Sequence, residues 1–560
     1  MKPLLLPVVL ATLLGAAAAP PPVYDIAIRG GTLYDGSGAA GVSGDIAITG
    51  DRIVAVGAAP GRAAREVDAR GLAVAPGFIN MLSWANESLI ADPLGQSDIR
   101  QGVTLEVMGE GNSMGPLNAR MKADARARQG DIRYAIGWTS LGDYFAYMEK
   151  RGIAPNIASF VGAATVRIHE LGEGDVDPDP AQLGRMRALV RAAMDDGALG
   201  VGSSLIYAPG TYAETDELVA LVGAAAACGG MYISHMRSEG ERLLESIDEL
   251  VEIARRTGAP AEIYHLKMAG RDNWGKYDAA IARIEAARAS GLRITADMYT
   301  YTAGATGLDA AMPTWVQAGG VEQWVARLKD PKIRARVVAE MKAPGKGWEN
   351  LAYGAGPAGM LLSGFKNPAL KPLTGKTLAD VAAARGTTPE DTIVDLVIAD
   401  GSRVDTIYFL MDEANVGKLV ARPWMSFGSD AEAQAPEGVF LQSSTHPRAY
   451  GNFARLLGHY VRDEGVVTLS DAIHRLTGLP AANIGIKDRG LLKPGYFADV
   501  VLFDPATIAD RATFAKPQVY ATGVRDVFVN GVQVLSGGTP TGAAPGRAVR
   551  GAGWQRCPPA

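Results

Sequence analysis

Apolar and polar residues alternate in short runs near both ends of the chain. These runs are Asp25–Arg29, Gly44–Ile48, Arg52–Val56, Ala498–Phe503 and Val524–Gly531. Alternation with a period of two, bounded by glycine or aspartate, is typical of short β-strands. We therefore expect residues 20–75 and 485–560 to form one small β-sandwich built from both chain ends.

Between these ends, residues 76–484 alternate apolar strand-like runs with stretches whose apolar residues recur at helical spacing. The strand candidates are Phe78–Ser83, Val103–Gly109, Ile157–Gly162, Leu199–Leu205, Tyr232–His235, Ala261–His265, Arg293–Asp297 and Trp424–Gly428. Eight strands that alternate with helices predict an α/β fold, a TIM-like (β/α)8 barrel. The segment at about 305–389 is far longer than a βα loop of roughly 2–6 residues, which indicates an insertion over the barrel mouth.

The amino-acid composition and the charge pattern indicate which kind of partner the protein binds. The chain has 560 residues, of which 48% are hydrophobic and 21% charged, as in an ordinary globular protein. Its formal net charge is −5, and acidic and basic residues are interspersed. This pattern offers no basic surface for nucleic acid and no cationic helix for a membrane, so we expect a small-molecule partner. The oligomeric state is left open.

The first 19 residues indicate export. One lysine precedes a short apolar run and a series of alanines, the pattern of a secretory signal peptide. We expect this segment to be removed and the mature protein to be periplasmic or secreted. Cys228 and Cys557 are the two cysteines of the chain, and we expect them to remain unpaired because a large core needs no disulfide.

Two histidines carry the first chemical signal. His235 and His265 each end a predicted strand, one βα unit apart. The C-terminal strand ends are where a barrel places metal ligands, and a catalytic zinc takes about three protein ligands plus a water. Glu110, in a glycine-rich turn after the second strand, is the best third ligand, although it could equally be a solvated loop carboxylate. Glu106 is a weaker choice because it should point to the opposite face.

Other polar residues follow the later strands. Asp430 ends the eighth strand and could act as a general acid and base on water and a leaving amine, or it could cap a helix. Lys267, Tyr299 and Arg448 supply groups that suit a substrate carboxylate. Ion pairing with local acids is the alternative reading of these cations. Between Arg237 and Glu239, beside His235, such a local pair is expected.

At this point the residues resemble those of a known family. The matching blocks are Ala75–Ile79, Gly197–Gly200, Leu205–Gly210, Tyr232–Glu239, His265–Lys267, Asn273–Gly275, Gly428–Asp430, His446–Arg448, Leu476–Ala481 and Asp488–Gly490. In this order they resemble the N-acyl-D-amino-acid deacylases, or D-aminoacylases, of the amidohydrolase superfamily. The resemblance implies a β-sandwich plus a TIM-like barrel, and zinc-dependent hydrolysis of the amide that joins an acyl group to a D-amino acid.

The resemblance also implies site roles. His235 and His265 take the two histidine ligand places and Asp430 the catalytic acid–base place. Lys267, Tyr299 and Arg448 take the places that bind the substrate carboxylate.

This chain departs from the family at four places. The first-strand His-x-His of the superfamily falls on Leu82 and Trp84, and the usual cysteine ligand falls near Gly111, beside Glu110. A third-strand histidine falls on Ala163, and the fourth-strand run 197–207 has no lysine to bridge two ions. We therefore expect one Zn²⁺, with another divalent metal possible because a carboxylate is a harder ligand than a thiolate. Trp84 would become a wall of the substrate pocket.

The leading function is removal of the acyl group from N-acyl-D-amino acids. One alternative is an exported dipeptidase or peptidase specific for D-residues, since the same amide chemistry and carboxylate binding would serve. Another is an exported small-molecule binder that has kept the fold and lost catalysis, because fold alone does not establish chemistry.

Overall fold

The computed structural model describes residues 23–557, and the predicted signal peptide, residues 1–19, lies outside them. The strands are β1 Val23–Leu33, β2 Val42–Thr49, β3 Arg52–Gly57, β4 Arg62–Asp68, β5 Ala73–Pro76, β6 Phe78–Asn80, β7 Val103–Met108, β8 Asn156–Ser159, β9 Val161–Gly162, β10 Gly200–Ser204, β11 Met231–His235, β12 Ala261–Ile263, β13 Ile294–Met298, β14 Ala303–Gly307, β15 Met360–Gly364, β16 Asp405–Phe409, β17 Met425–Phe427, β18 Val500–Phe503, β19 Val524–Val529, β20 Val532–Ser536 and β21 Thr539–Pro540.

The α-helices are α1 Ala85–Ala91, α2 Gln96–Ile99, α3 Ala119–Arg128, α4 Leu141–Arg151, α5 Ala163–Leu171, α6 Pro180–Asp196, α7 Thr215–Ala226, α8 Leu243–Thr257, α9 Tyr277–Ala289, α10 Val321–Leu328, α11 Pro331–Met341, α12 Leu351–Ala355, α13 Leu378–Arg385, α14 Pro389–Asp400, α15 Glu413–Val420, α16 Arg448–Arg455, α17 Leu469–Leu476 and α18 Gly478–Asn483. A stretch of π-helix, Leu456–Asp463, continues directly from α16.

Helix ends follow local sequence signals. Before α6, the Asp179 side chain accepts a hydrogen bond from the backbone N–H of Gln182. The Gln182 side chain in turn accepts one from the backbone N–H of Asp179, which completes a capping box. Pro180 occupies the first turn, where a missing N–H costs nothing. The helix ends at Gly197, whose φ of 109° an L side chain rarely adopts.

Strands from both chain ends form one nine-stranded sheet. β1 pairs with β2 in antiparallel register and with β5 in parallel register. The two chain ends join where β5 pairs with β18, with Val74 opposite Leu502. Apolar side chains from both ends, including Ile28 and Phe528, are fully buried in one cluster. The two chain ends therefore share one sheet and one apolar core, and the predicted domain boundaries at residues 75 and 485 stay a prediction.

All eight predicted barrel strands are present. They are β6, β7, the split third strand β8 and β9, β10, β11, β12, β13 and β17. They form a parallel three-stranded ladder, β6–β8, and a parallel six-stranded ladder, from β9 to β17. The first and last strands meet through single hydrogen bonds, Met81 N to Phe427 O at 3.1 Å and Asp430 N to Leu82 O at 2.8 Å. The TIM-like barrel is thus built from two ladders that no continuous hydrogen bonding closes.

A long segment separates β13 from β17 and has its own core. It contains the antiparallel sheet β14–β16–β15 and the helices α10 to α14. Leu308, Trp324, Leu396 and Tyr408 are buried in a cluster distinct from the main barrel core. The region predicted as an insertion, about 305–389, lies within this segment, which we call the insertion.

The expectation for the cysteines is wrong. Cys228, which follows α7, forms a disulfide with Cys557 in the C-terminal tail. The tail crosses the base of the barrel, where Val549 N bonds to Ile157 O at 2.7 Å and Gly551 N to Gly197 O at 2.9 Å. Pairing across 329 residues depends on this path, which local sequence patterns do not reveal.

Among residues 23–557, no helix combines the length and the apolar composition needed to cross a membrane.

Candidate active site

Glu110, His235 and His265 converge at the C-terminal ends of the barrel strands. His235 is the last residue of β11, His265 follows β12, and Glu110 follows β7. One ligand atom from each side chain lies within 4.8 Å of the others. Glu110 Oε1 is 2.9 Å from His235 Nδ1 and 3.2 Å from His265 Nε2. The structure therefore brings together the three residues that the sequence suggested as metal ligands.

The backbone around Glu110 explains how a carboxylate reaches this point. Gly109 and Gly111 have φ values of 106° and 65°, which favour glycine. A Cβ on Gly111 would lie 2.5 Å from the Cβ of Ser204 on β10. A cysteine therefore does not fit at Gly111 without a shift of β10, and the neighbouring Glu110 supplies the anionic group.

Sequence reasoning missed Glu239 as a site residue. Its Oε1 lies 2.8 Å from His265 Nδ1 and 2.5 Å from Lys267 Nζ, and its Oε2 lies 3.7 Å from His235 Nε2. Lys267 Nζ is also 2.8 Å from His265 Nδ1. The expected Arg237–Glu239 pair is wrong, because Arg237 pairs with Glu249 at 2.9 Å. The position of Glu239 four residues after His235 was the available signal.

Opposite charges balance in this buried cluster. Burial raises the pKa of Glu110, but hydrogen bonds from His235 and His265 bring it well below its usual range. Burial and Lys267 lower the pKa of His265, whereas Glu239 and Glu110 raise it to about 10. Burial lowers the pKa of Lys267, and the charge of Glu239 more than compensates. Two carboxylates thus hold positive charge at the strand ends.

Asp430 is held in one orientation. It follows β17 with a φ of 49°, a conformation uncommon for residues other than glycine. Its Oδ1 accepts a hydrogen bond from Trp84 Nε1 at 3.0 Å, and its Oδ2 lies 2.9 Å from Arg448 Nη2. No helix begins at Asp430. Helix capping is therefore not its role.

Arg448 and Tyr299 form a second polar group beside Asp430. Arg448 is the first residue of α16 and is only 2% exposed. Its guanidinium carbon lies 4.4 Å from the centre of the Tyr299 ring. Arg448 Nε and Nη1 and the Tyr299 hydroxyl are buried with no hydrogen-bond partner in the described part of the chain. These donors are free for an acceptor group. Lys267, in contrast, is already paired with Glu239.

The segment after β6 carries two apolar side chains at the predicted first-strand positions. Leu82 is fully buried, and Trp84 is 36% exposed. Neither side chain is a metal ligand. In residues 23–557 the one grouping of three metal-binding side chains is Glu110, His235 and His265.

Comparison with known proteins gives concordant matches. The sequence profile of the amidohydrolase family matches residues 65–535. D-aminoacylase of Alcaligenes xylosoxydans xylosoxydans is 34% identical over 529 residues, which cover 94% of this chain and 97% of that protein. A crystal structure of D-aminoacylase superposes with a TM-score of 0.77 at 32% identity, over 94% of this chain and 100% of that one. N-acyl-D-glutamate deacylase from Bordetella bronchiseptica, solved with zinc and a phosphonate inhibitor that mimics the tetrahedral intermediate, gives 0.77 at 30% identity, over 94% and 100%.

Proposed function

Because the chain belongs to the amidohydrolase family, and within it to the D-aminoacylase family, we propose that it removes the acyl group from N-acyl-D-amino acids. The protein is an amide hydrolase of this family. The relatives named above act on D-amino-acid derivatives, and this supports the substrate class.

The observation that carries the proposal is the convergence of Glu110, His235 and His265. Two imidazole nitrogens and one carboxylate oxygen form a donor set suited to Zn²⁺, with a place left for water. His235 Nε2 has no hydrogen-bond partner among the described residues, whereas Nδ1 faces the cluster. The donor set fits a single divalent ion. A divalent ion held there supplies Lewis acidity toward the amide carbonyl and the attacking water.

Glu239 would orient one of the ligands. With His265 Nε2 turned toward Glu110, its Nδ1 lies 2.8 Å from Glu239 Oε1, and a proton on Nδ1 would point to this carboxylate. A carboxylate partner of this kind fixes the tautomer of a metal-binding histidine and raises its basicity. Lys267 balances the charge of Glu239 at 2.5 Å.

Asp430 would move the proton. As a base it takes a proton from the water that attacks the carbonyl carbon, and as an acid it gives that proton to the amine as the C–N bond breaks. The products are a carboxylic acid and a free D-amino acid. The hydrogen bond from Trp84 and the ion pair with Arg448 hold the Asp430 carboxylate in place for both transfers.

Arg448 and Tyr299 would bind the substrate carboxylate. The free Nε and Nη1 groups of Arg448 and the free Tyr299 hydroxyl offer donors in a buried setting, where charge-assisted hydrogen bonds are strong. We assign Lys267 an indirect part, because its ammonium group is engaged by Glu239.

Export is also proposed. The N-terminal pattern of residues 1–19 supports it, and the Cys228–Cys557 disulfide is consistent with an oxidising compartment.

The experiment is an assay of free amine release from matched N-acetyl-D- and N-acetyl-L-amino acids and from D-containing dipeptides, with wild type and Asp430→Asn. Hydrolysis of the N-acetyl-D compounds, reduced about 1000-fold or more in Asp430→Asn, is the expected result. Turnover of dipeptides alone would favour the peptidase reading. If Asp430→Asn matched wild type on every substrate, the catalytic assignment would fail.

A further inference from the structure

Trp84 stands at a position where the resembled family carries a metal-binding histidine, and here it contacts a different group. Its indole Nε1 is 3.0 Å from Asp430 Oδ1, across 346 residues of sequence. An indole nitrogen can only donate, so Trp84 is the donor and Asp430 the acceptor. In this chain the side chain at position 84 therefore contacts a carboxylate.

The backbone supports this contact from both sides. Trp84 N donates to Ala431 O at 2.9 Å, and Asp430 N donates to Leu82 O at 2.8 Å. Ser83 also forms an isolated parallel bridge with Ala431. The segment after β6 is therefore aligned with the segment after β17, and the indole N–H and the carboxylate are brought together by the barrel itself.

Arg448, the second partner of Asp430, also has a proposed role in binding substrate. Arg448 binds Asp430 Oδ2 at 2.9 Å and also offers free donors to a substrate carboxylate. The indole of Trp84 is neutral, and Asp430 is the one acceptor found for its N–H within residues 23–557. Trp84 can therefore keep its hydrogen bond to Asp430 when Arg448 binds the substrate carboxylate.

We propose that Trp84 is a positioning residue for Asp430, whose indole N–H fixes the carboxylate in the orientation that proton transfer requires. This inference rests on the proposed function, because the proton transfer belongs to amide hydrolysis.

The test compares Trp84→Phe, which keeps a ring but lacks the N–H, with Trp84→Gln, whose amide nitrogen is the same number of bonds from Cβ. Loss of one hydrogen bond to a charged group predicts a kcat lower by about 10- to 100-fold in Trp84→Phe, with KM within about 3-fold. Trp84→Gln should recover a large part of that loss. Trp554→Phe, at a tryptophan that is 44% exposed, is the control and should leave kcat unchanged.

The pH profile separates positioning from packing. If Trp84 positions the catalytic carboxylate, the shape of the kcat/KM pH profile should differ between Trp84→Phe and wild type, whereas a packing defect should lower kcat/KM by the same factor at every pH. The other charged and titratable groups that interact with Asp430 are unchanged in these variants: Arg448, Lys267, Asp297, Tyr264 and Tyr299. Metal content should remain that of wild type, because Trp84 is no ligand.

The NMR signal of the Trp84 indole tests the contact with Asp430 without any measurement of activity. In a ¹⁵N-tryptophan-labelled protein, Trp84→Phe identifies the Trp84 indole resonance, and Asp430→Asn should shift it upfield. An unmoved resonance, or a Trp84→Phe enzyme with wild-type kcat and pH profile, would overturn the inference. If wild type hydrolysed no amide, the proposed function would fail and with it the catalytic use of Trp84, while the resonance would still decide whether Trp84 holds Asp430.

Discussion

At the scale of residues, the turn at Glu110 shows how the backbone selects the anionic group of the site. Gly111 leaves no room for a side chain beside Ser204, and Glu110 directs a carboxylate to both histidines. Such a set favours hard divalent ions more than a thiolate set would.

Glu110→Gln tests the proposed role of Glu110 as a metal ligand. An amide is a poor metal ligand and carries no charge, so we expect metal affinity to fall by more than the roughly 10- to 100-fold that loss of an outer hydrogen-bonding partner costs. Metal bound per chain, measured by elemental mass spectrometry after dialysis, gives the result. Glu241→Gln, at an exposed glutamate in the loop after β11, is the matched control. Full metal content in Glu110→Gln would remove Glu110 from the ligand set.

Site residues could be predicted from the sequence where a pattern of neighbouring residues marks them. His235, His265 and Asp430 were predicted because each ends an apolar run, and a strand end is a local property. The partners of these residues were not. Trp84 meets Asp430 over 346 residues, and Glu239 meets Lys267 over 28, so their roles depend on contacts that only the folded barrel creates.

At the scale of elements, the insertion contacts the site through Glu349. Its Oε2 accepts a hydrogen bond from the backbone N–H of Glu239 at 3.0 Å. Burial, and then the charge of Glu239, raises the pKa of Glu349 to about 8. The insertion is therefore joined to the strand-end cluster by a buried carboxyl group whose pKa lies above its usual range.

This gives a pH-dependent prediction. The pKa of Glu349 is about 4.5 in the unfolded chain and about 8 in the folded protein, so between these pH values the folded protein keeps a proton that the unfolded chain has lost. The free energy of unfolding should therefore fall as pH rises through this range. Glu349→Gln keeps the acceptor oxygen and removes the ionisation. We expect equal melting temperatures for wild type and Glu349→Gln at pH 5, and a higher one for the variant, by a few degrees, at pH 9.

Thermal melts at the two pH values, with Glu241→Gln as control, measure the difference. A gap that is the same at pH 5 and pH 9 would show that Glu349 does not titrate in this way.

The barrel strands were predictable because each is a short apolar run beside a helix of period 3.6. The division of the third strand into β8 and β9 was not, since it reflects how Phe160 N bonds to Met108 O at 2.8 Å between them. The periodicity of the sequence also could not predict the core of the insertion. In its sheet β16 lies between β14 and β15, which is not the order of these strands along the chain.

At the scale of the whole molecule, the C-terminal tail connects the sandwich to the base of the barrel. After β21 the chain bonds to the starts of β8 and β10, and it ends at the disulfide to Cys228. This base lies at the opposite end of the strands from Glu110, His235 and His265. The disulfide should therefore affect stability and leave the chemistry unchanged.

Replacing both cysteines tests that separation. In Cys228→Ser/Cys557→Ser we expect unfolding to cost about 2–4 kcal/mol less, because the bridge closes a loop of 329 residues in the unfolded chain. The apparent melting temperature should fall by several degrees, and kcat at 25 °C should equal that of wild type. Wild type treated with reductant is the control. A variant as stable as oxidised wild type would show that the bridge contributes little.

The central claim is that one divalent ion, held by Glu110, His235 and His265, supports hydrolysis of N-acyl-D-amino acids. The most direct measurement is to titrate Zn²⁺ into metal-depleted protein while following release of free amino acid from an N-acetyl-D-amino acid. The account predicts activity that rises from near zero, saturates at one ion per chain, and is absent in Glu110→Gln. Full activity without metal, or a rise that continues to two ions per chain, would contradict it.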